Sequence, residues 1–292
     1  MTTSKRNVAR QLWELLEPIH AVTYFSPEPL AAFKAAGFRG FWMGYFAGRA
    51  APLGEIGADV VHALFYNFTP ERVGRALPDA WSHASPQAAL LARRDGSTAA
   101  LHRIMRDHAD PRDIDRAAEL ASRIAFAQPP EGRPLFAANR SLAEPTEPLA
   151  RLWHAATLLR EHRGDGHIAA LLAAGIGGRE SHVFHALSSG TPPEVYTVAR
   201  DFSEEEWARH LRSLQIKGLA NADGLTDNGR HVKQEIEHRT DALTSEGLTT
   251  LTEPEQDELL VLLYPMARAV VEAGDIPLDS PMGLNLRAIT SA

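Results

Sequence analysis

The side chains best suited to acid–base chemistry are concentrated in residues 149–187, an otherwise apolar stretch. The Gly-Asp-Gly sequence at 164–166 predicts a tight turn between two helices, because glycine accommodates such a turn easily. His162 would then lie in the last turn of the first helix, and His167 would begin the second. In this arrangement Asp165 could orient one imidazole while the other acts as a base or a ligand. We therefore predict His162, Asp165 and His167 as catalytic residues.

His20, in an apolar segment near the N-terminus, is the fourth predicted catalytic residue. The alternative interpretation of these residues is structural. Asp165 would cap a helix, and the histidines would be hydrogen-bonded partners inside the fold. The residue types alone leave both interpretations open.

Metal chemistry is a further alternative for the same stretch. His182 and His185 are three residues apart, so they share one helical face and could bind Zn²⁺ or Fe²⁺ together with Glu180. The sequence has no HExxH and no other recognisable metal-ligand spacing. We predict no metal ligand, and the cofactor is left unassigned, with haem as one alternative.

A second unusual segment, residues 37–54, combines aromatic side chains with regularly spaced glycines. The aromatic residues are three or four apart, and Gly40, Gly44 and Gly48 leave a stripe without side chains on one helical face. One interpretation is close packing of two helices along this stripe. The other is an aromatic-lined pocket in which Arg49 contacts an anionic group. The predicted ligand-binding residues are Tyr24, Phe41, Trp42, Tyr45, Arg49, Asn67 and His154.

Composition narrows the functional class. The chain has 292 residues and a formal net charge of −7, which lowers the expectation of a dedicated nucleic-acid binder. It has no cysteine, which excludes disulfides, thiolate metal sites and cysteine nucleophiles. The N-terminal residues show no apolar signal-peptide core, and no apolar run is long enough for a membrane span, so we expect a cytoplasmic protein without a membrane partner. Neither a nucleophile elbow nor a phosphate-binding glycine loop is recognisable.

The periodicity predicts a mainly α protein with one short β-hairpin. Residues 127–148 are rich in proline and glycine and are the best candidate for a linker or a long loop. We predict a helical ligand-pocket domain at 1–140 and a winged-helix-like domain at 141–292, sharing one pocket. Residues 188–202 are predicted as a connection with a short extended piece. A helix from Ser203 to Gln215, two strands at 219–220 and 225–226, and a helix from Asp227 are also expected.

Residues 203–243 resemble a winged helix-turn-helix of the MarR type, through leucines 211 and 214, the KGL sequence at 217–219 and LTDNGR at 225–230. Beyond this module the chain resembles the SalK-like helix-turn-helix family of actinobacteria. EPIHAVTYFSPE, GYFAGRAAPLG, FYNFTPERVGRALPDAW and LWHAATLLREHRGDGH carry this likeness, which extends over roughly residues 8–275. The resemblance implies a mostly helical fold with a wing and the expectation of a transcriptional regulator.

The charges of this module differ from those of DNA-binding winged helices at two places. The wing, residues 220–224, carries no lysine or arginine for the minor groove or the phosphates, and the expected recognition helix begins with the three glutamates 204–206. A modest basic patch could still form from Arg200, Arg209, Arg212 and Lys217. The wing therefore disfavours DNA as a partner, and a scaffold or dimer-interface role is the alternative.

We predict a protein that binds a small, largely apolar or aromatic molecule between its helical and winged-helix portions, with DNA binding lost. One alternative is an enzyme that uses histidine acid–base or histidine-bound metal or haem chemistry in the same pocket. The other is a ligand-responsive regulator that forms a homodimer. Whether the protein is an enzyme is left open.

Overall fold

The protein is mainly α-helical in a computed structural model that describes residues 7–278 and 283–291. Helices make up most of this part of the chain, and its β structure consists of one two-stranded antiparallel hairpin. The predicted fold class is therefore confirmed. None of the described helices combines the length and the apolar character that a membrane span requires.

The elements follow one another along the chain with short connections. The helices are α1 (Val8–Phe25), α2 (Pro27–Ala35), α3 (Gly40–Ala50), α4 (Ala58–Phe65), α5 (Pro70–Gly74), α6 (Ala80–His83), α7 (Pro86–Met105), α8 (Pro111–Ala127), α9 (Pro134–Arg140), α10 (Pro148–Ala173), α11 (Gly178–Ser189), α12 (Pro193–Arg200), α13 (Glu204–Ile216), α14 (Asp227–Ala242), α15 (Glu253–Glu272) and α16 (Leu286–Ser291). The hairpin strands, β1 (Ala220–Asn221) and β2 (Gly224–Leu225), lie between α13 and α14, and 3-10 turns occupy Ala51–Leu53 and Glu246–Thr250.

The largest core is built around α10, which packs against α1, α7, α8, α9 and α14. Trp153 of α10 is almost completely buried, and its indole donates a hydrogen bond to Thr23 Oγ1 at 2.9 Å. Burying so large a ring contributes strongly to stability, and the hydrogen bond satisfies its only polar atom. α15 closes this core on α1 and α8 with Leu259, Leu263 and Met266.

A second core forms between α2, α3, α4 and α7, and the glycine stripe of α3 lies within it. A Cβ on Gly48 would come within 2.5 Å of Phe33 Cζ, and one on Gly44 within 3.2 Å of Phe33 Cβ. Only glycine therefore allows α2 to approach α3 this closely. Close helix packing along the stripe, one of the two interpretations of this segment, is confirmed.

The third core joins α11–α14 and the hairpin, with Phe184, Tyr196 and Ile236 buried together. Ala220 pairs with Leu225, and Asn221 pairs with Gly224. The predicted hairpin is thus confirmed, with each strand displaced by one residue toward the turn. Ser203 Oγ accepts the Glu206 N–H at the start of α13, as the sequence predicts.

The turn predicted at 164–166 is wrong. α10 runs without a break from Pro148 to Ala173, although glycine lowers helix stability by roughly 1 kcal/mol relative to alanine. Tertiary contacts override this local preference. The Gly166 surface is covered by the Arg133 guanidinium, and Asp165 Oδ2 accepts the Phe136 N–H at 3.0 Å. His162 consequently lies in the middle of a helix rather than in its last turn.

Two other stretches are more ordered than the sequence indicates. The proposed linker 127–148 contains α9, whose Leu135 and Phe136 are buried. Residues 193–200, expected as a connection with an extended piece, form α12, with Pro193 in its first turn. At the C-terminal end of the described residues, α16 packs against α15. The division into domains at residue 140 stays a prediction.

Candidate functional site

A cavity of about 650 Å³ lies between the three cores. Its walls come from α1, α3, the α4–α5 connection, α10, α11, α12 and α14. Its volume falls within the range of roughly 300–1,000 Å³ that is typical of sites for small organic ligands.

One wall of the cavity is aromatic, and α3 supplies its centre. Phe41, Trp42 and Tyr45 lie beside the glycine stripe, on the side of α3 that borders the cavity. The ring centres of Trp42 and Tyr45 are 5.5 Å apart in an edge-to-face arrangement, and Phe68 lies 5.9 Å from Trp42. Tyr24 of α1 continues the wall, 5.0 Å from Tyr45. Such a surface offers both ring faces and ring edges to a flat apolar molecule.

A strained residue fixes the α4–α5 connection at the cavity. Tyr66 has a positive φ of 59°, which is unfavourable for a bulky side chain. Its hydroxyl donates to Ile176 O at 2.5 Å, and its carbonyl lies where a Cβ on Gly178 would be. These contacts tie the connection to the start of α11, and they hold Asn67 in the cavity wall.

A buried ion-pair cluster borders the aromatic wall. Arg49 Nε and Nη2 donate to the two Glu161 carboxylate oxygens at 3.2 and 3.1 Å, in a bidentate pair. Arg160 Nη1 donates to Glu161 at 2.8 Å, and Arg160 Nε lies 3.5 Å from Glu17. Burial alone would raise the pKa of Glu161, but the Arg160 and Arg49 guanidinium groups lower this pKa to about 2. The carboxylate is therefore ionised at neutral pH.

The opposite side of the cavity holds a second polar group on α10, α11 and α14. Lys233 pairs with Glu237, and His167 Nδ1 lies 3.0 Å from Thr240 Oγ1. Burial lowers the pKa of both His167 and His185 to about 4. Both imidazoles are therefore neutral at pH 7 and can act as hydrogen-bond partners rather than as cations.

The structure divides the predicted site residues into two groups. Seven line the cavity: Tyr24, Phe41, Trp42, Tyr45, Arg49, Asn67 and His167. The other four do not line it. His20 is buried behind the wall, where it contacts Tyr24 and Thr157 at 2.9 Å, and burial lowers its pKa well below the ordinary value.

The remaining three residues lie on other sides of α10. His154 packs near Phe126, and the His162 ring contacts Phe136 edge-on at 4.8 Å between ring centres. Asp165 accepts the Phe136 N–H at the start of α9. Because Asp165 and His167 have separate partners, they do not form the oriented pair expected for acid–base chemistry.

Several cavity residues were missing from the sequence prediction, chiefly Arg160, Arg163 and Arg200. Positions 160, 164, 167, 168 and 171 lie on one face of α10 and all line the cavity. Their spacing of three or four residues is the signal that could have identified this face. It becomes visible only when residues 148–173 are treated as one helix.

Glu180, one of the residues considered for a metal site, has other partners. Glu180 caps α11 by accepting the Gly177 N–H at 3.0 Å, and it pairs with Lys217 at 2.6 Å. Within residues 7–278 and 283–291, no group of three or more His, Asp or Glu side chains is arranged to hold a metal ion.

The sequence model of the helix-turn-helix family matches residues 9–277. The chain belongs to this family. No curated protein and no solved structure shows a significant match to it. In this helix-turn-helix protein, α13 and the hairpin make up a small part of the matched range. The same range also contains nearly all of the residues that line the cavity.

The cations expected on the helix-turn-helix surface are only partly available there. Lys217 Nζ donates to Glu180 and to Gly175 O at 2.8 Å, and Arg200 lies in the cavity wall. Arg209 and Arg212 remain exposed on α13. The exposed glutamates 204 and 205 occupy the first turn of the same helix, so the local charge is close to balanced.

Proposed function

We propose that this helix-turn-helix protein binds a small, largely apolar or aromatic molecule in the 650 Å³ cavity. The observation that carries the proposal is the cavity itself, with an aromatic wall beside bidentate and charged hydrogen-bonding groups. Ligand sites in proteins combine such apolar walls with a few polar groups that fix orientation. The cavity has walls from both the helical and the winged-helix portions, which supports a ligand held between them.

Binding of N-phenyl-1-naphthylamine, an uncharged aromatic probe whose fluorescence rises in apolar surroundings, tests the proposal. We expect saturable binding to the wild-type chain. Ile168→Trp should weaken it by about tenfold or more, since the larger ring fills space in the cavity wall.

Leu172→Trp is the matched control, because Leu172 lies on the same helix but is 62% exposed and does not line the cavity. It should bind the probe as the wild type does, with both variants showing unchanged circular dichroism. Equal binding by the two variants would contradict the proposed location of the ligand.

We further propose that the winged-helix portion acts as a scaffold and does not contact DNA. Its two-residue turn, Ala222 and Asp223, carries no cation, and Lys217 is held in an internal ion pair. Phosphate contacts from lysine and arginine supply most of the non-specific affinity of DNA-binding proteins. A surface with two exposed arginines beside two glutamates offers little of this attraction.

The second candidate function is a ligand-responsive, dimeric regulator, which membership of the helix-turn-helix family favours. Fluorescence anisotropy with a duplex at about 50 and about 200 mM salt distinguishes the two, because phosphate contacts make affinity fall steeply with salt. We expect no saturable binding at either concentration. Binding that weakens with salt, and that the double variant Arg209→Gln, Arg212→Gln removes, would establish the regulator instead.

A further inference from the structure

The cations that line the cavity differ in whether they form a salt bridge with a carboxylate. Within residues 7–278 and 283–291, five of the six form a salt bridge with a glutamate or an aspartate: Arg10, Arg49, Arg160, Arg163 and Lys233. Arg200 forms none in this part of the chain. It is therefore the cavity cation whose charge the described residues leave uncompensated.

The surroundings of Arg200 explain why no described carboxylate reaches it. Asp201, its neighbour in the chain, adopts a left-handed conformation and pairs with Arg72 on α5. The nearby Arg179 donates to the Arg200 carbonyl at 2.7 Å, while its own side chain pairs with Glu206. The local chain thus turns its carboxylates away from the cavity and fixes the backbone that carries Arg200.

The Arg200 guanidinium has a free edge. Its Nη1 donates to Ala199 O at 2.8 Å, whereas its Nε is buried without a hydrogen-bond partner in the described part of the chain. The group lies 4.6 Å from the centre of the Phe68 ring. Burial, together with the positive charge of Arg49, lowers the pKa of Arg200. A partly buried cation with an unpaired Nε and no carboxylate partner is unfavourable, and an anionic group on the ligand would relieve this.

We propose that the cavity takes an aromatic carboxylic acid whose carboxylate binds Arg200 and whose ring packs against Trp42 and Phe68. This rests on the proposed ligand-binding function and names its substrate class. The guanidinium matches a carboxylate in planar, bidentate geometry. Arg200 is the cavity cation without a carboxylate partner among the described residues, so a single carboxylate on the ligand would supply the missing ion pair. Phe68 contacts both the Trp42 ring and the guanidinium, so the two parts of the ligand meet adjacent surfaces.

Isothermal titration of the full chain with 2-naphthoate and 2-naphthamide tests this assignment, because the two probes share shape and differ in charge. The wild type should bind naphthoate about tenfold or more tightly than naphthamide. Arg200→Gln should weaken naphthoate binding by about 10- to 100-fold, as expected for loss of a hydrogen-bonded charge pair, and change naphthamide binding less than about threefold. Arg200→Lys, which keeps the charge without the planar fork, should fall between wild type and glutamine.

Arg209→Gln is the matched control, since it removes one positive charge from an exposed position on the next helix. It should leave the affinity for both probes unchanged. Arg200→Gln should also melt at or above the wild-type temperature, because it removes a partly buried charge that lacks a carboxylate partner among the described residues. If Arg200→Gln fails to fold, Arg200→Lys replaces it in the test, because lysine retains the positive charge but lacks the planar guanidinium.

The outcomes separate this proposal from the proposed function. Equal weakening of both probes by Arg200→Gln would show that Arg200 only shapes the cavity and would overturn the anion assignment. The assignment would also be wrong if the wild type binds N-phenyl-1-naphthylamine and naphthamide but shows no preference for naphthoate. Failure of all three probes to bind the wild type would overturn the proposed function itself.

Discussion

Glu161→Gln is expected to lower the free energy of unfolding by about 3–5 kcal/mol, the range measured when one partner of a buried ion pair is removed. Glu161 is 2% exposed and receives hydrogen bonds from Arg49 and Arg160. Glutamine preserves the shape of the side chain but leaves the buried Arg49 guanidinium without its ion pair. Among the described residues, the partly buried Arg160 then keeps Glu17 as its carboxylate partner. Chemical denaturation at pH 7, followed by circular dichroism, measures the effect.

The pH dependence of this loss has a definite sign. The pKa of Glu161 is lowered from an ordinary value of 4.5 to about 2 in the folded protein. Its stabilising contribution is therefore complete above about pH 5 and disappears as the pH falls toward 2. The stability difference between wild type and variant should narrow over that interval. Glu272→Gln, which removes an exposed partner of Arg268, is the control and should change stability little at any pH. Equal stability of the two variants at pH 7 would contradict the buried-pair interpretation.

Gly166→Ala is expected to destabilise the protein by about 3 kcal/mol, through overpacking and the loss of two hydrogen bonds. A methyl group at this position would overlap Arg133 Nη1. That atom donates to His162 O at 2.9 Å, and Nη2 donates to Leu243 O at 3.0 Å. Moving the guanidinium would break the link that Arg133 makes between α10 and the end of α14. Thermal and denaturant unfolding would measure the change.

Gly164→Ala is the matched control for this variant, because it makes the same chemical change two residues earlier in the same helix. The nearest atom to an added Cβ there is Glu161 Oε2, at 3.9 Å. Alanine should be neutral or should stabilise the protein by up to about 1 kcal/mol, through its higher helix propensity. If both alanine variants were stabilised equally, the proposed role of Arg133 would be wrong.

Local sequence signals correctly predicted the helices and strands whose ends depend on residues close by in the sequence. Ser203 caps the helix expected after it, and the hairpin appears within one residue of its predicted place. The Gly-Asp-Gly sequence gave a wrong prediction because tertiary contacts determine the conformation there. Gly166 packs against Arg133, and Asp165 accepts a hydrogen bond from the start of α9. Neither partner is adjacent to the turn sequence in the chain. Only the folded arrangement shows that the helix is favoured there.

The candidate site was predictable where one helix supplies it and unpredictable where several do. The face of α3 with Phe41, Trp42 and Tyr45 follows from its spacing alone. On α10, however, Asp165 and His167 are two residues apart, which places them about 160° apart around the helix axis. Residues that are dense in sequence therefore separate onto different sides of one helix. Arg200 became a candidate only because α12 brings it to the cavity from another part of the chain.

α3 both packs against α2 and lines the cavity, and this has a consequence for engineering the protein. Positions 44 and 48 pack against Phe33, and an added Cβ would crowd Phe33 at position 44 and overlap it at position 48. Positions 41, 42 and 45 face the cavity and can be exchanged without disturbing that contact. Libraries restricted to these three positions should retain the fold while altering which molecules the cavity accepts. Ligand choice and helix packing thus depend on different positions of a single eleven-residue helix.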